Sequence, residues 1–201
     1  MKASLNILIA YFMVVTACSA QRSQSVLELY SHTINYPSYK VVFHLEVVPE
    51  GHQATSDSKR YFWYGGNQIN ITQGGFGGKL LDGAYREFYL NKNLKAEGNF
   101  DGGLMVGEWK KWRENGSLDS ISNYSSGELN GLFARFDGKG ILLEEGRYRN
   151  GLKHRKWLGH LSTDKVQVTY YKKGIVIQEK QSKLKIWMIK LGDKIKLRRK
   201  K

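Results

Sequence analysis

A single cysteine, Cys18, leaves the 201-residue chain without an intramolecular disulfide, so packing and hydrogen bonds must hold it together. Two prolines are too few for a Pro-rich linker. Long apolar runs are also missing: the run from Leu5 to Val15 is too short to span a bilayer. The chemistry of an enzyme is sparse as well. His32, His44, His52, His154 and His160 show no metal-ligand spacing. Asp82, Glu87, Glu97, Glu108, Glu114, Glu144 and Glu145 are scattered, with no argument for a paired acid and base. There is no Gly-x-Ser-x-Gly elbow. Residues 74–80 (GGFGGKL) invite a phosphate-loop reading but lack its first glycine, and Leu80 stands where Ser or Thr would meet magnesium. Neither catalysis, a metal nor a cofactor is expected.

Glycine and aromatic residues are plentiful. With 22 Gly, 12 Tyr and 5 Trp, the composition points to short strands joined by tight turns. These residues recur in phase every 24 positions. Gly83, Gly107 and Gly131 form one column, and Tyr85, Trp109, Phe133 and Trp157 another. Phe88, Trp112 and Phe136 follow the same step, as do Leu94, Leu118, Leu142 and Val166. So do Phe100, Tyr124 and Tyr148, then Gly103, Gly127 and Gly151; a one-residue deletion brings Tyr171 and Gly174 into the last copy. A period of this length means stacked supersecondary units. Within a unit the order is aromatic strand, turn, second strand, Gly turn. Asn115-Gly116 between apolar segments is a hairpin signal that calls for φ > 0 at both positions, and Ser126-Gly127 and Asn150-Gly151 mark the turns to the next unit. The expected fold is all-β, an elongated antiparallel meander of repeated hairpins. Tyr61, Tyr64 and Phe76 lie 24 residues before Tyr85, Phe88 and Phe100, so a divergent first repeat is expected near Lys59. Trp109 and Trp112 are three apart. Period-2 alternation then implies aromatic ladders on both faces, a bulge being the alternative.

The pattern Gly-x-Trp-x-x-Trp, Asn-Gly, Tyr-x-x-Gly resembles the bacterial MORN repeat variant over residues 60–174, and is similar to the YwqK-type antitoxins of toxin–antitoxin systems. Arg155 and His160 replace the column's glycine and second aromatic in the last unit, as in a terminal capping copy.

At the other end, Lys2, the apolar run and the small residues after it read as an export signal. Val15-Thr16-Ala17-Cys18 resembles the lipobox of bacterial lipoproteins. That resemblance implies cleavage before Cys18, its lipidation, and a mature chain tethered to a membrane in an extracytoplasmic space; Ser19 after it points to the outer membrane. The blander alternatives are an ordinary signal with an incidental cysteine, or a short membrane anchor. Residues 18–38 are read as a tether, 39–58 as a strand and a loop, 59–174 as the repeats and 175–201 as a basic tail. In the strand, Val41, Phe43, Leu45 and Val47 share one face, and His44 is read as a strand residue.

Formal charge is +14, and the tail carries +8 of it, from ten Lys and Arg against Glu179 and Asp193. Leu184, Trp187, Met188, Leu191 and Ile195 fall at helical spacing, flanked by Lys183, Lys185, Lys190 and Lys194. The tail can be read as a helix on an anionic membrane, with Lys183, Trp187, Lys190 and Lys194 in contact, as a cap on the sheet's open end, as a further strand, or as a disordered end. The function expected is that of a membrane-anchored binding or scaffold module for a protein or envelope polymer. Tyr85, Phe88, Trp109, Trp112, Phe133, Phe136 and Trp157 are its candidate face, or else purely structural. The rival readings are an antitoxin-like inhibitor and a lipid-binding surface protein. Lysines among aromatics could hold single-stranded nucleic acid, but an exported chain would not meet it, so no nucleic acid is expected.

Overall fold

The computed structural model describes residues 31–47, 55–162 and 165–178. Cys18, the export signal, Lys183, Trp187, Lys190 and Lys194 lie outside them. The described residues contain no helix. They form thirteen strands: β1 (Ser31–Asn35), β2 (Tyr39–Leu45), β3 (Arg60–Gly65), β4 (Gln68–Gln73), β5 (Lys79–Tyr89), β6 (Leu94–Asp101), β7 (Leu104–Trp112), β8 (Leu118–Ser125), β9 (Glu128–Phe136), β10 (Leu142–Arg149), β11 (Leu152–Ser162), β12 (Lys165–Lys172) and β13 (Ile175–Ile177). From β5 onward each strand pairs antiparallel with the next, giving the all-β meander that the repeats imply; β2 and then β1 extend it on the other side of β5.

Two kinds of turn alternate. One end of the sheet carries two-residue turns with φ > 0 at both positions: Gly102-Gly103, Ser126-Gly127, Asn150-Gly151 and Lys173-Gly174. Each turn glycine also ties back to the strand before its own hairpin. The N–H groups of Gly103, Gly127, Gly151 and Gly174 donate to the carbonyls of Leu81, Met105, Leu129 and Lys153 at 2.7–2.9 Å. The loops at the other end differ from the expectation for Asn115-Gly116, because only Gly116 has positive φ, 82°. Gly116 N–H donates to Arg113 O, and Arg113 N–H to Ser117 O, both at 2.9 Å. That is a type I turn followed by one left-handed residue, a three-residue loop rather than a two-residue one. Residues 89–93 and 137–141 repeat it, with Lys92 and Gly140 left-handed.

Beside each such loop the two columns Phe88/Trp112/Phe136 and Leu94/Leu118/Leu142 meet as cross-strand pairs, and His160 with Val166 continues the series. Lys95, Asp119 and Leu143 are left unopposed next to the first three pairs, a bulge repeated at the repeat's own step. The expectation of two aromatic ladders is therefore corrected. Among the described residues one face, here the front, carries a ladder, while Phe88, Trp112 and Phe136 join no ring contact and close the loop ends instead.

The stretch from Lys59 does form a hairpin, β3–β4, turning at Gly66-Asn67, but it is not a first repeat in the meander. Its strand pairing with the meander is limited to Trp63 with Leu80 and Tyr64 with Lys79, and β2 takes the place beside β5. The physical reason is apolar: Phe62, Tyr64 and Ile69 pack on the cluster of Val41, Phe43, Leu45, Leu81, Tyr85, Phe100 and Trp109, removing rings from water that an edge strand would leave wet. Phe62 lies 4.8 Å from Phe100, and its N–H donates to Gly103 O at 2.8 Å. The hairpin thus makes a second layer over the N-terminal part of the sheet. Three boundaries also shift. β1 lies inside the stretch read as a tether, β13 inside the stretch read as tail, and β2 ends before Val47, which is 78% exposed rather than inward. Val41, Phe43 and Leu45 are buried together, as their spacing implies.

Candidate functional site

The front ladder is built from the column Tyr85, Trp109, Phe133, Trp157 and the column Phe100, Tyr124, Tyr148, Tyr171. Tyr85 lies 5.3 Å from Phe100 and 5.5 Å from Trp109, and Trp109 lies 6.2 Å from Tyr124. Further along, Phe133 contacts Trp157 at 5.7 Å, and Trp157 contacts Tyr148 at 5.1 Å and Tyr171 at 6.1 Å. Each indole needs a bare strand beneath it. A Cβ on Gly98 would fall 2.2 Å from the Trp109 ring, and one on Gly146 2.2 Å from the Trp157 ring. The intervening repeat has Ser122 in that place, and there the ring is the smaller Phe133.

Where the second layer stops, a groove of about 630 Å³ opens on the front face. Tyr85, Phe100, Met105, Trp109 and Tyr124 form its floor; Arg60 and Phe62 from β3 make one wall, and Tyr89, Trp112 and the charged residues Glu87, Lys95, Lys111, Arg113 and Asp119 another. Lys95 pairs with Glu87 at 3.0 Å and lies 4.0 Å above the Tyr39 ring. Tyr85 donates its hydroxyl to Glu87 at 2.7 Å. Burial, then the neighbouring Glu87 carboxylate, pushes the Tyr85 phenol far above its usual range. Arg113 pairs with Asp119 at 2.5 Å and donates to Asp137 O and Phe136 O at 2.8 and 2.6 Å, fastening one loop to the next. Arg60 and Lys111, both exposed, have no ion pair among the described residues. The Trp109 Nε1–H is buried with no acceptor among the described residues, whereas its counterpart in Trp157 donates to Arg147 O at 3.1 Å.

Of the residues singled out in the sequence, Tyr85, Trp109 and Trp112 come together at this groove. Phe88 lines a separate hollow with Tyr36 and Tyr39, Phe133 a hollow with Ile121, Leu132 and Leu158, and Phe136 and Trp157 belong to neither. Sequence reasoning missed Arg60, Phe62 and Lys111. The apolar run at residues 61–64 was the available signal, since it fits a packed layer better than an edge strand. Among the described residues no three His, Cys, Asp or Glu side chains gather as a metal site.

Residues 81–101 and 105–126 match the family described as MORN repeat variant. They are the β5–β6 and β7–β8 hairpins, which supply most of the groove. Such repeats are commonly protein- or lipid-binding modules, typically non-enzymatic. No curated protein matches the chain.

Proposed function

We propose that the chain is a lipid-anchored, extracytoplasmic, non-catalytic module that binds a protein or envelope polymer on the front face of its repeat sheet. The observation that carries the binding reading is the groove at the edge of the second layer, with its aromatic floor and two cations that have no ion pair among the described residues. The lipobox-like residues before Cys18 supply the anchor and the address.

Cross-linking intact cells and purifying the tagged chain from the membrane fraction tests both parts. A stoichiometric partner that disappears in Lys111→Glu is the expected result; no partner, or one indifferent to Lys111, sinks the binding reading. Cys18→Ala should move the protein out of the membrane fraction. A Cys18→Ala chain that stays in the cytoplasm and still neutralises a cognate toxin would replace this reading with the antitoxin one. The tail's ten cations support a second contact, with anionic lipid. Deleting residues 180–201 should then weaken salt-sensitive vesicle binding.

A further inference from the structure

We propose that the groove takes an acidic polypeptide segment in extended form, its carboxylates on Arg60 and Lys111 and an apolar side chain between them over Met105 and Trp109. The inference rests on the binding reading above and names the ligand class. The groove lining holds four cations, Arg60, Lys95, Lys111 and Arg113, against two acids, Glu87 and Asp119. Both acids are already neutralised, by Lys95 and Arg113. What remains toward a ligand is Arg60 and Lys111, a net positive site that complements carboxylates and repels basic partners.

The two cations stand on different strands of the lining, Arg60 on β3 and Lys111 on β7, with Met105 and Trp109 beside them. An extended peptide carries alternate side chains on one face, so acids four positions apart leave the middle side chain between them, over the floor.

The test is fluorescence anisotropy on the full mature chain. The probe is a labelled ten-residue peptide with glutamates flanking a central leucine. Binding should weaken about tenfold or more in Arg60→Glu/Lys111→Glu and less in Arg60→Gln/Lys111→Gln. It should hold in Lys190→Gln/Lys194→Gln, which removes tail charge only. No binding, loss only in the tail variant, or equal binding of a polyuronate of the same charge would each overturn the proposal. A partner captured from cells through Lys111, with the peptide unbound, would reject the acidic ligand and keep the binding module. Failure of both experiments rejects both.

Discussion

Trp109 and Trp157 occupy one position two repeats apart, yet the molecule buries them by different means. Both lie flat on a glycine, and both meet a tyrosine or phenylalanine edge-on. Around Trp109 the cover is a second layer, the β3–β4 hairpin that packs Phe62 against Phe100. Over Trp157 it includes Lys153, whose Nζ sits 3.9 Å above the ring and is paired with Glu144. The comparison separates what the repeat supplies from what its surroundings supply. The repeat makes the seat; segments outside the period decide what lies on top. Among the described residues a groove walled by the hairpin opens where the hairpin ends, so the repeats are alike in fold and unlike in the surface they present.

Four measurements would break or sharpen this contrast. If the seat is truly common, Gly98→Ala and Gly146→Ala should cost about the same, on the order of 3 kcal/mol each in urea unfolding, since both put a methyl inside an indole. Unequal costs would mean the two tryptophans are not equivalent. Phe62→Ala should cost about 2 kcal/mol and loosen hydrogen-exchange protection in β5–β7 while leaving β10–β12 unchanged. Arg155 holds the left-handed conformation, φ 64°, that Gly83, Gly107 and Gly131 hold in earlier copies. Arg155→Gly should therefore stabilise the chain by about 1 kcal/mol, seen as a raised unfolding midpoint.

The smallest effect at neutral pH is that of Tyr85. Its folded pKa is raised, chiefly by burial, so its contribution is complete below the unfolded value of about 10. Above that, the unfolded chain releases a proton that the folded chain keeps, and stability falls as pH rises. The urea midpoint should be level from pH 7 to 9 and decline above 10, less steeply in Tyr85→Phe.

The meander was legible because its signals are local. The glycine columns mark left-handed turns, and the 24-residue step sets which strands are neighbours. The hairpin β3–β4 was not legible as a layer. Tyr61 and Tyr64 keep the repeat's spacing, yet their segment gains more from covering Phe43 and Phe100 than from adding a strand at the edge. The groove inherits that failure: its floor was readable as columns, whereas Arg60 and Phe62 reach it only through tertiary packing. The loop at Asn115-Gly116 was misread because loop length depends on where its strands stop pairing, here one residue either side of the Trp112–Leu118 pair.

The turn glycines that tie each hairpin to the strand before it also set how the sheet would respond to force. From β6 onward every strand contacts its sequence neighbours and the tie spans one strand, so among the described residues no backbone bond between distant repeats resists a pull from the C-terminal side. A chain held at one end and pulled at the other should peel one hairpin at a time. Single-molecule stretching should then record a staircase, each step releasing about 80 Å of chain, the contour length of one repeat. A single rupture would show that the repeats yield together. Peeling from the C-terminal side would lengthen the chain hairpin by hairpin before it reached the strands that line the groove.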